Sequence, residues 1–232
     1  VRALLARTYL HDLTSDLACY HDEQVIRLAV NVANYGTSPA RLKVLFAIQA
    51  RPVAQRELVL PPATDRRIAV QVSRAGHVPD TDDPQLQQRG GLVEFSAELH
   101  RAGHTIDRMR SAFVLWNPAV VRSGPSVRLE DNYFRLNGRP TLIAGTNTTG
   151  IMFYAADENP LVWDHDFAQA ADAGLRIWRI LHISPFAHRG YQGIARHSAS
   201  HLADPPPRRL VRQMDAVIQL AQHHGIIVMP SL

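Results

Sequence analysis

Phe134-Arg135-Leu136-Asn137-Gly138-Arg139-Pro140-Thr141-Leu142-Ile143-Ala144-Gly145-Thr146-Asn147 is the stretch whose reading decides the fold. Asn137-Gly138 is a strong two-residue hairpin signal, because both positions accept positive φ. The short apolar run at 141–145 then reads as a strand buried on both faces. Downstream, strands and helices alternate. Asp164 reads as the N-cap of a helix that runs through Phe167, Ala170 and Ala171 and stops at Gly174. Residues 175–181 form the next strand. Asp204-Pro205 opens a second helix with proline at its first position. Its apolar stripe is Leu210, Met214, Val217, Ile218 and Ala221, and Gly225 ends it. Residues 226–229 are a third strand. The order β-α-β-α-β predicts a parallel sheet with right-handed crossovers.

Upstream of this stretch the period is two. Ile26, Leu28, Val30 and Val32 fall on one side of a strand, and Arg27 and Asn31 on the other. Leu42, Val44, Phe46 and Ile48 repeat the pattern, as do Ile68, Val70 and Val72, and then Val93, Phe95, Ala97 and Leu99. Such alternation marks strands with one buried and one wet face. The cluster at 34–39, Pro61-Pro62 and the loop at 101–104 supply the turns, and 75–91 reads as a surface loop. Residues 1–118 are therefore expected to form an immunoglobulin-like β-sandwich. A linker at 119–132 leads to an α/β part at 133–232. A (β/α)₈ barrel needs about 250 residues. The last hundred residues hold three strands and two helices, so the α/β part is read as the first section of such a barrel. The rival is a small open α/β sheet, but there a further helix would cover the third strand.

Composition narrows the class. The chain has 232 residues, 46% of them apolar and 20% charged, ordinary values for a globular protein. No apolar run is long enough to span a bilayer, so no membrane partner is expected. Cys19 is the single cysteine, which rules out an intramolecular disulfide and a cysteine-rich zinc site. The net charge of +4 is dispersed, with arginine doublets only at 66–67 and 208–209. A nucleic-acid binder would gather its basic residues on one face, so none is expected as a partner. The opening at Val1 has no signal-peptide pattern and reads as internal to a longer protein. Compartment and oligomeric state are not readable.

The phrase Phe134-x-Leu136-Asn137-Gly138-x-Pro140, followed by Gly145-Thr146-Asn147 and preceded by a sandwich, resembles the entry to the catalytic barrel of glycoside hydrolase family two. That group holds the β-galactosidases, β-mannosidases and β-glucuronidases. Arg179-Ile180-Leu181-His182-Ile183-Ser184-Pro185 resembles the family's Arg-x-x-His-x-Pro segment at the end of the second barrel strand, with one extra residue before the proline. Ala221-x-x-x-Gly225 and the strand ending Pro230-Ser231 resemble the second helix and third strand. The resemblance implies a retaining hydrolase of β-glycosides acting on a carbohydrate substrate without a cofactor. A non-catalytic carbohydrate-binding or adhesion module is the alternative.

Retention requires two carboxyl groups about 5–5.5 Å apart, one a raised-pKa acid and one an ionised nucleophile. In the family the acid/base glutamate follows an asparagine at the fourth strand, and the nucleophile ends the seventh. No Asn-Glu dipeptide occurs here. No catalytic residue is therefore carried over, and both carboxylates are expected beyond Leu232.

The wall of the sugar site remains. By resemblance Arg179 would hold the nucleophile ionised and oriented, and His182 would contact substrate. Asn147 would hydrogen-bond sugar hydroxyls, and Trp178 would offer an aromatic platform, as would Phe153 and Tyr154. Each has a structural alternative: a paired barrel arginine, a surface histidine, a turn former, packing aromatics. Thr149 stands where the family often has histidine, which leaves the preferred sugar open. The spacings His197/His201 and His100/His104 lack a convincing helix and a completing carboxylate, so no metal is expected. Asp80, Asp82 and Asp83 lack the glycine and glutamate of a calcium loop. Asp164 and Asp166 read as helix N-terminal acids, and His223 and His224 as their C-terminal counterparts.

Overall fold

The computed structural model describes residues 7–148, 159–180 and 208–230. Its first part consists of two facing sheets. One has the order β1 (Thr8–Ser15), β3 (Val25–Asn34), β6 (Thr64–Ser73). The other has the order β2 (Cys19–Tyr20), β8 (His104–Leu115), β7 (Leu92–Arg101), β4 (Ala40–Ile48), β5 (Arg51–Leu60). All pairs are antiparallel except β2 with β8. The alternating positions seen in the sequence make the core: Ile26, Leu28, Val30 and Val32 meet Val44, Phe46, Phe95 and Phe113, all buried. Burying each large side chain contributes about 1.5–3 kcal/mol. The hairpin at Ala102-Gly103 has both residues at positive φ, as two-residue turns between twisted strands require.

The 75–91 loop is more built than its composition suggests. It contains one helical turn, α1 (Pro84–Gln87), capped by Asp83, whose side chain accepts from the Gln85 and Leu86 amides. Leu86 is 3% exposed and joins the sandwich core. The stretch read as a linker holds a short helix, α2 (Pro118–Arg122), and strand β9 (Val127–Glu130). β9 pairs with β10 (Tyr133–Leu136), and β10 turns at Asn137-Gly138, both at positive φ, into β11 (Arg139–Pro140).

The first parallel strand is β12 (Gly145–Thr148), not the expected 141–145. The ladder fixes its start, because the Arg176 and Ile177 amides donate to the Ala144 carbonyl, while Leu142 is 98% exposed. A Cβ at Gly145 would come within 2.7 Å of the Ile177 carbonyl oxygen, so close strand approach demands glycine there. Helix α3 (Pro160–Asp172), strand β13 (Ile177–Ile180), helix α4 (Arg208–His223) and strand β14 (Ile227–Pro230) follow. The cap of α3 is Asn159, one turn before the expected Asp164; Asn159 accepts from the Leu161 amide and Pro160 stands at the first helical position. Gly174 and Gly225, both at positive φ, follow the two helices as expected. The expected start of the second helix at Asp204-Pro205 lies outside the described residues.

β12, β13 and β14 form a parallel sheet in that order, with Gly145, Ile177 and Ile227 in register. Trp178 and Val228 pack against Trp163, Phe167, Val217 and Leu220, so α3 and α4 cover one face together. The helices also rest on the sandwich: the same cluster includes Ala18, Cys19, Leu92, Ala112 and Val114. Gln219, fully buried, accepts from the Asn117 amide and donates to the Gly90 and Leu115 carbonyls. A Cβ at Gly91 would lie 2.4 Å from the Gln219 amide nitrogen and 2.6 Å from the Leu115 oxygen. A bare backbone lets α4 sit down on the sandwich edge.

Candidate functional site

Side chains alternate along a strand, so the register of the parallel sheet sorts its residues by face. Trp178 and Val228 point into the helix layer. Asn147, Arg179 and Met229 are in register with one another on the opposite parity. They form a row across the sheet, each one residue before the carboxyl end of its strand. Asn147 is exposed, Arg179 half-buried and Met229 46% exposed. The row joins an amide, a guanidinium and a thioether, which suits hydrogen bonding and carboxylate binding but offers no proton donor or nucleophile.

Of the residues singled out in the sequence, Asn147 and Arg179 come together. Trp178 instead packs edge-on against Phe167, ring centroids 5.1 Å apart, with its buried indole nitrogen lacking a hydrogen-bond partner. His182, Thr149, Phe153, Tyr154, His197 and His201 lie outside the described residues. Met229 was missed, because Arg179 was named by resemblance and the register that sets Met229 beside it is not written in either strand alone.

Above the row, the start of α4 is bound to the sandwich through charge. Arg208 and Arg212 donate to Glu23, at 2.5 and 3.0 Å, and Arg212 also reaches Asp215 at 3.2 Å. His21 Nε2 lies 2.9 Å from Asp215, and its ring stacks on Trp116 at 5.0 Å and 9°. Burial alone would raise the Glu23 carboxyl. The amides of Glu23 and His21 and the two guanidinium groups outweigh it and hold the group at about 2. Burial would lower Arg212, but its bonds to Asp215 and Glu23 raise it instead. This cluster locks the helix to the sandwich; every charge in it has a partner.

The remaining candidates are structural. Asp164 lies within α3, 2.7 Å from His224 Nε2, rather than at a helix start. Burial pushes the neighbouring His223 down, with help from His224. Asp83 is a helix cap. Burial raises the Cys19 thiol well above its ordinary value, so it is inert in the folded chain. Among the described residues no three His, Cys, Asp or Glu side chains could hold a metal ion, and no helix is long and apolar enough to cross a membrane.

The chain is similar in structure to glycoside hydrolase family two enzymes. It aligns with a family-two β-galacturonidase from Eisenbergiella tayi at 16% identity and a TM-score of 0.43, over 97% of this chain and 33% of that one. It aligns with β-glucuronidase 2 of Bacteroides uniformis at 13% and 0.39, over 97% and 24%. An exo-chitosanase of Amycolatopsis orientalis gives 15% and 0.38, over 97% and 22%. The chain thus spans a third or less of the length of these enzymes. No family model and no curated protein matches the sequence.

Proposed function

We propose that this chain is part of a retaining β-glycoside hydrolase. In this reading residues 1–118 are an immunoglobulin-like accessory sandwich, 119–132 a connector and 133–232 the opening section of a (β/α)₈ barrel. The observation that carries the reading is the Asn147–Arg179–Met229 row. It lies near the carboxyl ends of parallel strands, the end at which barrel enzymes place their chemistry. It also lies on the face away from α3 and α4. In a closed ring that face is the interior, where an arginine needs an anionic partner.

The sandwich topology supports the first half of the proposal. The orders β1-β3-β6 and β2-β8-β7-β4-β5, with β2 parallel to β8, fit a two-sheet immunoglobulin-like arrangement. Sequential strand order with both helices on one face supports the second half.

The two catalytic carboxyl groups belong to sequence outside 1–232. Arg179 binds the nucleophile carboxylate and keeps it ionised while the acid protonates the leaving oxygen. Asn147 bonds a sugar hydroxyl, and its bond tightens as the ring flattens toward the oxocarbenium ion. Trp178, turned to the helix layer, acts through packing. His182 at the next strand end is a further substrate contact in this reading.

An assay tests it. The enzyme that carries this chain is offered a panel of chromogenic β-glycosides, as wild type and as Arg179→Ala and Asn147→Ala. Turnover is expected, with kcat/KM falling on the order of a hundredfold or more for Arg179→Ala and about tenfold for Asn147→Ala. Unchanged kinetics in both variants would remove the row from the site.

A further inference from the structure

A cleft of 820 Å³ opens at the end of the sandwich, lined wholly by sandwich residues, one of which, His21, also meets Asp215 of α4. The cleft floor is His21, held on one side by the stacked Trp116 ring and on the other by Arg74, which donates to the His21 carbonyl at 2.7 Å. One wall is the 75–85 loop, anchored into the core by Leu86 and Val78. The opposite wall is the β4–β5 turn, where Gln49 and Ala50 both sit at positive φ. Positive φ at both residues is what a two-residue turn between Ile48 and Arg51 requires.

The lining decides the ligand class. Arg51 and Arg74 carry positive charge, and Asp22 and Asp80 negative charge. Among the described residues none of the four is in an ion pair, whereas Asp83, which also borders the cleft, is used in capping α1. Counting Asp83, two arginines face three carboxylates, one of them already held by the amides of α1, so neither sign dominates the cleft. A net anion or cation would gain as much repulsion as attraction there. A neutral molecule rich in hydroxyls can use both signs, and Gln24, Gln49 and Gln85 add amides that donate and accept.

Position supplies the rest. α4 links β13 to β14 and runs antiparallel to them, so its first turns stand at the carboxyl ends of the strands. Arg208, Arg212 and Asp215, all in those turns, bond to Glu23 and His21. The cleft floor is therefore at the same end of the molecule as Asn147 and Arg179. Its volume fits a ligand site.

We infer that this cleft is a remote subsite for a neutral oligosaccharide, gripping a substrate chain beyond the sugar that is cleaved. The choice of sugar rests on the proposed hydrolase reading; the place rests on the cleft alone.

The test is calorimetric titration of the 232-residue chain with a neutral β-1,4-linked hexasaccharide, cellohexaose, beside an oligogalacturonide of equal length and inorganic phosphate. Saturable binding of cellohexaose is expected. It should weaken on the order of tenfold in Arg51→Ala and in Asp80→Ala, as loss of a charged hydrogen bond predicts, and stay unchanged in Arg179→Ala. Both cleft substitutions are at exposed positions, and an unchanged melt confirms the fold. No heat with cellohexaose would overturn the inference, as would binding that survives both cleft variants or is lost in Arg179→Ala. Tighter binding of either anion would overturn the neutral class. Cleft binding with an inactive parent enzyme would sink the hydrolase reading alone; an active parent whose cleft fails to bind would sink this inference alone.

Discussion

The sandwich and the α/β part solve the burial problem in different ways. The sandwich encloses its own core: two sheets close over Ile26, Val44, Phe46, Phe95 and Phe113, and the outer faces carry charge. The α/β part encloses less. Its helices are buried between three parallel strands on one side and Cys19, Leu92, Ala112 and Val114 of the sandwich on the other. Its second sheet face shows Met229 to solvent, and the hairpin before it shows Leu129 at 72% and Phe134 at 47% exposure. One part is a finished unit and the other a borrower, which explains why α4 is fastened by Gln219 and by a five-residue polar cluster of Arg208, Arg212, Asp215, Glu23 and His21.

Core truncations should separate the two most strongly. Phe113→Ala and Trp163→Ala each remove a fully buried aromatic, and each should cost about 3–5 kcal/mol. Phe113→Ala should lower the melting of the whole chain. Trp163→Ala should release the helices while β-sheet circular dichroism persists. A single shared transition in both variants would show that the two parts fold as one unit.

Gln219→Leu keeps the volume but orphans the Gly90 and Leu115 carbonyls and the Asn117 amide. A loss of about 2–3 kcal/mol in denaturant melts is expected, confined to the helical transition. The same seam can be read with a thiol reagent. Cys19 should label slowly in the wild-type chain and faster in Gln219→Leu, at a rate set by opening of the helix layer. Equal rates would place the opening elsewhere.

The effect of pH should be smaller and opposite in the two parts. Glu23 is held at about 2 against an ordinary 4.5. Its contribution to the seam is complete above pH 4.5 and is lost as pH falls from there toward 2. His11, on the outer face of the sandwich, is lowered by burial but raised on balance by its bonds to Asp65 and Asp12. Its contribution is complete below 6.5 and is lost as pH rises through its higher folded value. Melts of Glu23→Gln and His11→Asn against pH should each converge on wild type at the opposite end of the scale.

Sequence reading found β3, β4, β6 and β7 because their period of two survives. It did not name β1, β2 or β5, whose burial alternates less cleanly or whose span is too short to show a period. It found the order of the α/β part but misplaced two starts. At 141–145 an apolar run suggested a buried strand, yet pairing with Ile177 fixes the ladder further on, at Gly145. At α3 the acid Asp164 outshone Asn159-Pro160, although the latter pair supplies both the cap and a proline suited to the first turn. The seam was invisible because a stripe argument looks for one buried face. α4 is buried on two, and the signal was present: no charged side chain stands between Asp215 and His223. Of the site, Asn147 and Arg179 were named by resemblance, and the register of β12 with β13 sets them side by side. Trp178 was taken for a platform because neighbours in sequence point to opposite faces of a sheet, which a list of aromatics does not record.

Covalent trapping tests the central proposal most directly. The enzyme containing this chain is treated with a 2-deoxy-2-fluoro-β-glycoside bearing a good leaving group, and its peptides are weighed. The proposal predicts one stable glycosyl adduct on a glutamate outside residues 1–232, formed more slowly in Arg179→Ala. Turnover with inversion and no adduct, or an adduct on a residue within this chain, would contradict it.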